Sequence, residues 1–145
     1  MRLRIVYILA LALVGVVPAA GTEQPFEGPV WATVVRVVDG DTIAVRARIW
    51  LGQDVETMVR VAGVDAPELH GHCDEEKILA RKAQAFVEAS VAGGSVRLRD
   101  VRYDKYGNRV VARVESPAGS DLADQLIAAG LGHAYQGERR LPWCQ

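Results

Sequence analysis

The sequence predicts a mainly β chain with two helices (α+β), whose five strands close into an OB-type barrel. Three observations predict it. Five stretches rich in β-branched residues are separated by glycine-containing turn signals. One helical stretch falls between the third and fourth strands, which is the plan of an OB barrel. The chain has 145 residues, half of them hydrophobic, enough to bury one core. Closure suits half-alternating strands because it removes exposed edges. An open five-stranded sheet with helices on one face is the competing architecture.

The elements follow in order. Arg2 and Arg4 precede an apolar run from Ile5 to Val17, and the small residues Ala19, Ala20 and Gly21 follow it. This is the pattern of a secretory signal over residues 1–20. A retained membrane anchor is the alternative, and the run's length argues against it, being short of the roughly 20 residues that span a bilayer. Residues 21–28, with Pro25 and Gly28, read as a linker, leaving 29–145 as the folded domain. Val30 to Val38 reads as the first strand, and Asp39-Gly40 as a hairpin turn. Thr42 to Ile49 alternates, placing Ile43, Val45, Ala47 and Ile49 on one face. Val55 to Val64 is the third strand, with Val55, Thr57, Val59 and Val61 on one face and Arg60 on the other. Pro67 ends pairing.

Asp74 is positioned to cap a helix reaching about Ala92, with Leu79, Ala83, Phe86 and Val87 as its apolar stripe and Glu75, Glu76, Lys77 and Arg81 in solvent. Gly93-Gly94 stops it. Val96 to Tyr103 and Arg109 to Val114 are the fourth and fifth strands, joined through Tyr106-Gly107-Asn108. A second helix starts at Ser120 or Asp121, turns Leu122, Leu126 and Ile127 inward, and ends at Gly130.

Charge and cysteine content narrow the function. The whole chain carries a formal charge of −1; without residues 1–20 it has 15 basic against 18 acidic residues, or −3. That excludes a strongly basic nucleic-acid packaging protein. Arg97, Arg99, Arg102, Lys105, Arg109 and Arg113 are nonetheless bunched, so the local field favours a polyanion encountered transiently. In an exported chain, Cys73 and Cys144 imply one disulfide tying the tail to the domain centre; free thiols are the alternative. His70 and His72 lie beside Cys73 without the paired spacing of a zinc site and read as loop residues, and His133 reads as structural.

The chemistry is concentrated at turns. If the strands are neighbours, Asp41 after the first hairpin and Asp65 at the end of the third strand converge on one rim. Two carboxylates, a backbone carbonyl and waters make an oxygen site that suits calcium better than zinc. Turn chemistry alone explains Asp39-Gly40 but does not explain Asp41, Asp65 and Glu68 together. Glu68, after the rigid Pro67, is placed to orient or deprotonate a water beside a metal. Arg60 is a long cation in a run of Val, Met and Ala. Held on a strand, it can grip a phosphate and favour a five-coordinate transition state; a surface ion pair is the alternative. Arg109 can approach from the other side, with Lys105 and Tyr106 contacting a nucleotide phosphate or base.

Three ordered motifs carry a resemblance. Val38-Asp39-Gly40-Asp41-Thr42, Val59-Arg60-Val61-Ala62-Gly63-Val64-Asp65-Ala66-Pro67-Glu68 and Asp104-Lys105-Tyr106-Gly107-Asn108-Arg109 resemble the thermonuclease family, the staphylococcal nuclease-like proteins. Gly130-Leu131-Gly132-His133-Ala134-Tyr135 is similar to that family's segment after its second helix. The resemblance covers most of residues 30–136. It implies a calcium-dependent phosphodiesterase acting on DNA and RNA, releasing a 5′-hydroxyl and leaving a 3′-phosphate. It implies calcium on the side chains of Asp41 and Asp65 and the carbonyl of Ala66, with Asp39 just behind them. Glu68 would be the general base, and Arg60 and Arg109 the phosphate clamps.

The chain departs from the family pattern in three places. Alanine stands at 66 where threonine is frequent. Asn108 is interposed before Arg109, which places the clamp on a turn one residue longer. A short tail with Trp143 and Cys144 stands where the best-known member continues into a long helix, so the disulfide and Trp143 are expected to take over that helix's stabilising role. The expected protein is thus an exported, periplasmic or secreted monomer, free of the membrane after signal cleavage, with nucleic acid as substrate. The rival readings are a non-catalytic single-strand-binding OB module and a small envelope protein stabilised by calcium.

Overall fold

The computed structural model describes residues 24–144; the expected signal segment lies outside them. Strands β1 (Val30–Asp39), β2 (Thr42–Trp50), β3 (Gln53–Val61), β5 (Ser95–Tyr103) and β6 (Arg109–Glu115) form a closed barrel in the order β1-β2-β3-β6-β5. Among the described strands only β3 and β6 run parallel, with Arg60 beside Val111. The short strands β4 (Gly63–Asp65) and β7 (His133–Tyr135) make a separate two-stranded ribbon. The helices among the described residues are α1 (Asp74–Ser90), between β4 and β5, and α2 (Leu122–Ala128), between β6 and β7. The closed OB-type α+β architecture is therefore as the sequence predicts, and the open sheet is excluded.

The barrel is filled by the inward sides of its strands, with Ile43, Val45, Val59, Leu98 and Val114 at most 1% exposed. Burying such side chains supplies roughly 1.5–3 kcal/mol each, the main force closing the barrel. The alternation in β2 places Ile43, Val45 and Ala47 inside as expected, but Ile49 is exposed. The β2–β3 hairpin runs past the barrel, leaving Ile49, Trp50, Leu51 and Val55 in solvent. Helix α1 closes one end with small residues, Ala80, Ala83 and Val87, while Leu79 and Phe86 are only half-buried.

Four local expectations are corrected. The third strand ends at Val61, and the chain turns at Gly63 (φ 89°) to start β4, because the ribbon with β7 competes successfully for residues 63–65. Asp74 is the first helical residue and not the cap; Cys73 occupies the cap position and makes no side-chain capping bond. Glu76 is buried, not in solvent. The part of the linker in view is docked: Phe26 pairs with Val101 at the bend in β5, where Asp100 has φ 53°. At α2, Asp121 caps as expected, accepting from the Ala123 and Asp124 amides.

The disulfide is formed between Cys73 and Cys144, with Cα atoms 6.0 Å apart. It brings the end of the chain to the first turn of α1, and Trp143 stacks on His133 at 3.8 Å between ring centres. Among the described residues, no helix is long and apolar enough to cross a membrane.

Candidate active site

The barrel rim at the β1–β2 turn collects the acids. Asp39 ends β1 and Asp41 sits in the turn. Gly40 between them is required by close approach: a Cβ there would lie 2.8 Å from the Cβ atoms of both Ala66 and Ala83. This pins the turn between α1 and the segment after β4. Asp65 ends β4, whose pairing with β7 sets it opposite His133. The expectation that Asp41 and Asp65 face one place holds, because one guanidinium reaches both.

That guanidinium belongs to Arg60, on β3 opposite Thr42. Its Nη1 lies 2.5 Å from Asp41 Oδ2, and its Nη2 is 3.4 Å from Asp65 Oδ1 and from the Val64 carbonyl. Asp41 and Asp65 are 4% and 2% exposed and Arg60 is 9% exposed, so this is no surface ion pair. Asp41 Oδ2 also accepts from the Ala66 N–H at 3.2 Å, and Oδ1 accepts from the Thr42 hydroxyl at 3.0 Å. The contact seen for Ala66 is thus its amide on Asp41. Asp39 stands behind, its Oδ1 accepting from the Asp41 N–H at 3.2 Å. Burial first, and then the charge of Asp41, push the Asp39 carboxyl up to about 6. The rim holds more negative charge than its cations neutralise.

Glu68 reaches the same rim from the loop after Pro67, its side chain about half exposed. The loop is held from below by the buried Glu76 on α1, which accepts from the Glu68 and His72 amides at 3.3 and 3.0 Å. From above comes Arg140 in the tail: its Nε lies 3.1 Å from Asp65 Oδ1 and its Nη1 2.9 Å from Glu68 Oε1. Neither Glu76 nor Arg140 was singled out from the sequence. A usable signal existed for Arg140: the Cys73–Cys144 tie returns the tail to the segment just after Glu68. Glu76 carried a signal too: with Ala80, Ala83 and Val87 it falls at the i, i+4, i+7, i+11 spacing of one helical face, and only its charge argued for solvent.

The other cations face a cleft of about 840 Å³ next to the rim, lined by Arg60, Lys105, Tyr106, Arg109, Tyr135 and Arg140 among others. Arg109 is ion-paired to Asp104 at 2.5 Å and lies 5.2 Å from the Tyr106 ring centre; Lys105 lies 5.0 Å from the same ring. Asn108, with φ 62°, forms the extra turn residue that lets Arg109 begin β6 beside Met58. The basic run is split by the strand. Arg102, Lys105, Arg109 and Arg113 line the cleft, whereas Arg97 and Arg99 are paired with Glu115. The alternation of β5 and its bend at Asp100 separate the two groups, so the local field is narrower than the run suggested. His70 and His72 are exposed, as expected of loop residues.

By donor type the rim suits a hard cation, although among the described residues its acids are held apart by guanidiniums and the one tight group of potential ligands is Cys73, Glu76 and Cys144. Asp41, Asp65 and Glu68 offer carboxylate oxygens, and a guanidinium already bridges two of them. Zinc is not favoured: Cys73 and Cys144 lie near Glu76 but are consumed by their disulfide.

A family model described as staphylococcal nuclease homologue matches residues 58–142, a span that includes Arg60, Asp65, Glu68 and Arg109. An uncharacterized endonuclease of Escherichia coli is 29% identical over 103 residues, covering 71% of this chain and 60% of that protein. Endonuclease YhcR of Bacillus subtilis is 31% identical over 125 residues, covering 78% of this chain but 10% of its own length. A probable endonuclease of Schizosaccharomyces pombe is 31% identical over 84 residues, covering 54% of this chain and 36% of that protein. The chain thus spans less than two thirds of each of these relatives. On the match to more than half of its length, the chain belongs to the staphylococcal nuclease homologue family.

Proposed function

We propose that the chain is a calcium-dependent nuclease that hydrolyses phosphodiester bonds of DNA, RNA or both, leaving a 3′-phosphate and a 5′-hydroxyl. One observation carries the reading: Arg60, which bridges Asp41 and Asp65, also lines a cleft shared with Arg109, Lys105 and Tyr106. Family membership and three relatives named as endonucleases support it. A single-strand-binding module has no use for buried metal-type carboxylates beside a polyanion, where they only repel. The chain is proposed to act as a monomer outside the cytosol, a reading the disulfide supports.

In this mechanism Asp41 and Asp65 would hold the cation, with the Ala66 carbonyl as a further ligand, while Asp39 keeps the Asp41 backbone in place. When bound, the cation supplies Lewis acidity at the phosphoryl oxygen and to nearby water. Glu68 takes a proton from the attacking water as its oxygen bonds to phosphorus. Arg60 and Arg109 stabilise the extra negative charge on the five-coordinate phosphorus. The bond from phosphorus to the 5′ oxygen breaks, and that oxygen takes up a proton from solvent. Lys105 and Tyr106 hold the neighbouring nucleotide.

Plasmid nicking in calcium, in chelator and by Glu68→Gln tests the proposal. Cleavage is expected in calcium alone, with a loss of about a hundredfold or more in the variant, the scale of general-base removal. Undiminished cleavage by Glu68→Gln would discard Glu68 as the base. Silence of the wild type with every divalent metal would favour the binding module.

A further inference from the structure

Arg140 is not explained by the reaction just described. It sits in the tail between two anchors: β7, paired to β4, and the Trp143–Cys144 pair, fixed by stacking on His133 and by the disulfide to Cys73. These anchors suspend a half-exposed guanidinium over the acid rim, where it bridges Asp65 and Glu68. It also lines the cleft that carries Arg60 and Arg109. We propose that Arg140 is a substrate-binding residue with two stations. Without a divalent ion it is the counter-ion of Asp65 and Glu68; with the ion bound it turns into the cleft and takes a phosphate of the nucleic acid. The proposal rests on the nuclease reading for the identity of the polyanion.

Charge and geometry support it. Among the described residues, Asp39, Asp41, Asp65 and Glu68 present four carboxylates, and Arg60 and Arg140 are the two guanidiniums in contact with them. Ionised, the group is short by two positive charges, the charge of one divalent cation. Once those charges are supplied, Arg140 loses most of its Coulombic hold on Asp65. Arg140 Nη1 occupies only Oε1 of Glu68 and leaves Oε2 to accept a proton, so the move is driven by the change of charge at the rim and not by the base itself. Arg60 is too buried to move in this way, at 11% side-chain exposure against 47% for Arg140. The long, half-solvated side chain can rotate at little cost, and the nearest destination for its charge is a phosphate between Arg60 and Arg109.

The test compares wild type, Arg140→Gln and Arg140→Lys, all with the disulfide intact. Calcium binding is measured by calorimetry without nucleic acid. Binding of a single-stranded oligonucleotide is measured by fluorescence anisotropy in calcium over a salt series. Arg140→Gln is expected to bind calcium about threefold to fivefold more tightly, the scale of a half-exposed ion pair removed from competition. It is expected to bind the oligonucleotide about tenfold more weakly, with the slope of log affinity against log salt shallower by about 0.7, one phosphate contact. Arg140→Lys is expected to recover the slope. A purely structural Arg140 would move neither readout in these directions. Calcium affinity at or below the wild-type value in Arg140→Gln, or an unchanged salt slope, overturns the proposal. Neither readout needs turnover, so failure of the wild type to cleave would count against the hydrolytic reading alone.

Discussion

Removing the Arg60 guanidinium tests the electrostatic design of the rim most directly. Arg60→Met keeps the aliphatic stem and deletes the charge. Asp65 retains Arg140 at 3.1 Å, but Asp41, 6% exposed at its side chain, keeps only the Ala66 amide and the Thr42 hydroxyl as donors. Breaking a buried ion pair from one side costs about 3–5 kcal/mol. The two surviving donors place this case at the lower end, about 3 kcal/mol. For a domain of this size that lowers the thermal midpoint by about 12 °C. The loss is expected in chelator. Calcium at a hundred times its dissociation constant returns about 2.7 kcal/mol to the variant. The wild type gains less at the same concentration, because the cation there meets carboxylates already paired with Arg60. Unfolding followed by circular dichroism, in chelator and in calcium, measures all four midpoints. A variant within roughly 3 °C of wild type in chelator, or an equal calcium shift in both proteins, would refute the reasoning.

Three other outcomes follow from the same geometry. Replacing Cys73 and Cys144 together by serine opens a loop of sequence separation 71 and is expected to cost about 4 kcal/mol; an unchanged midpoint in reductant would show that the tail contributes nothing to stability. The Asp39 carboxyl is raised in the folded state from 3.8 to about 6, so its contribution to stability is present below pH 4 and lost as pH rises through 6. In chelator, Asp39→Asn should flatten the stability profile over that window, and an identical profile would contradict the assigned cause. Glu76→Ala leaves the Glu68 and His72 amides without their acceptor, costing about 1–3 kcal/mol and lowering kcat through Glu68; full activity at wild-type stability would remove its positioning role.

Much of the site was legible in the sequence because turns write their chemistry locally. Asp39-Gly40-Asp41 and Asp65-Ala66-Pro67-Glu68 announce acids at strand ends, and hydrophobic alternation says which strands flank them. Gly40 is legible as a turn residue, but its packing against Ala66 and against Ala83 of α1 depends on segments distant in the chain. The break after Val61 was missed because β7, the partner of residues 63–65, lies about 70 residues further along. The exposed end of the β2–β3 hairpin was missed for a related reason: alternation marks a face as apolar, and only the length of neighbouring strands says whether anything covers it.

By itself the sequence determined the class of the molecule: five alternating strands, two helices, one cysteine pair, and acids and arginines at fixed turns. Those are properties of neighbouring residues, set by backbone sterics and side-chain period. The tertiary structure alone decided that Arg60 lies buried between Asp41 and Asp65, that Glu76 supports Glu68, and that Arg140 hangs over the rim. Electrostatic partnership depends on distances through space and on the exclusion of water, and neither exists until the barrel closes and the disulfide folds the tail back across it.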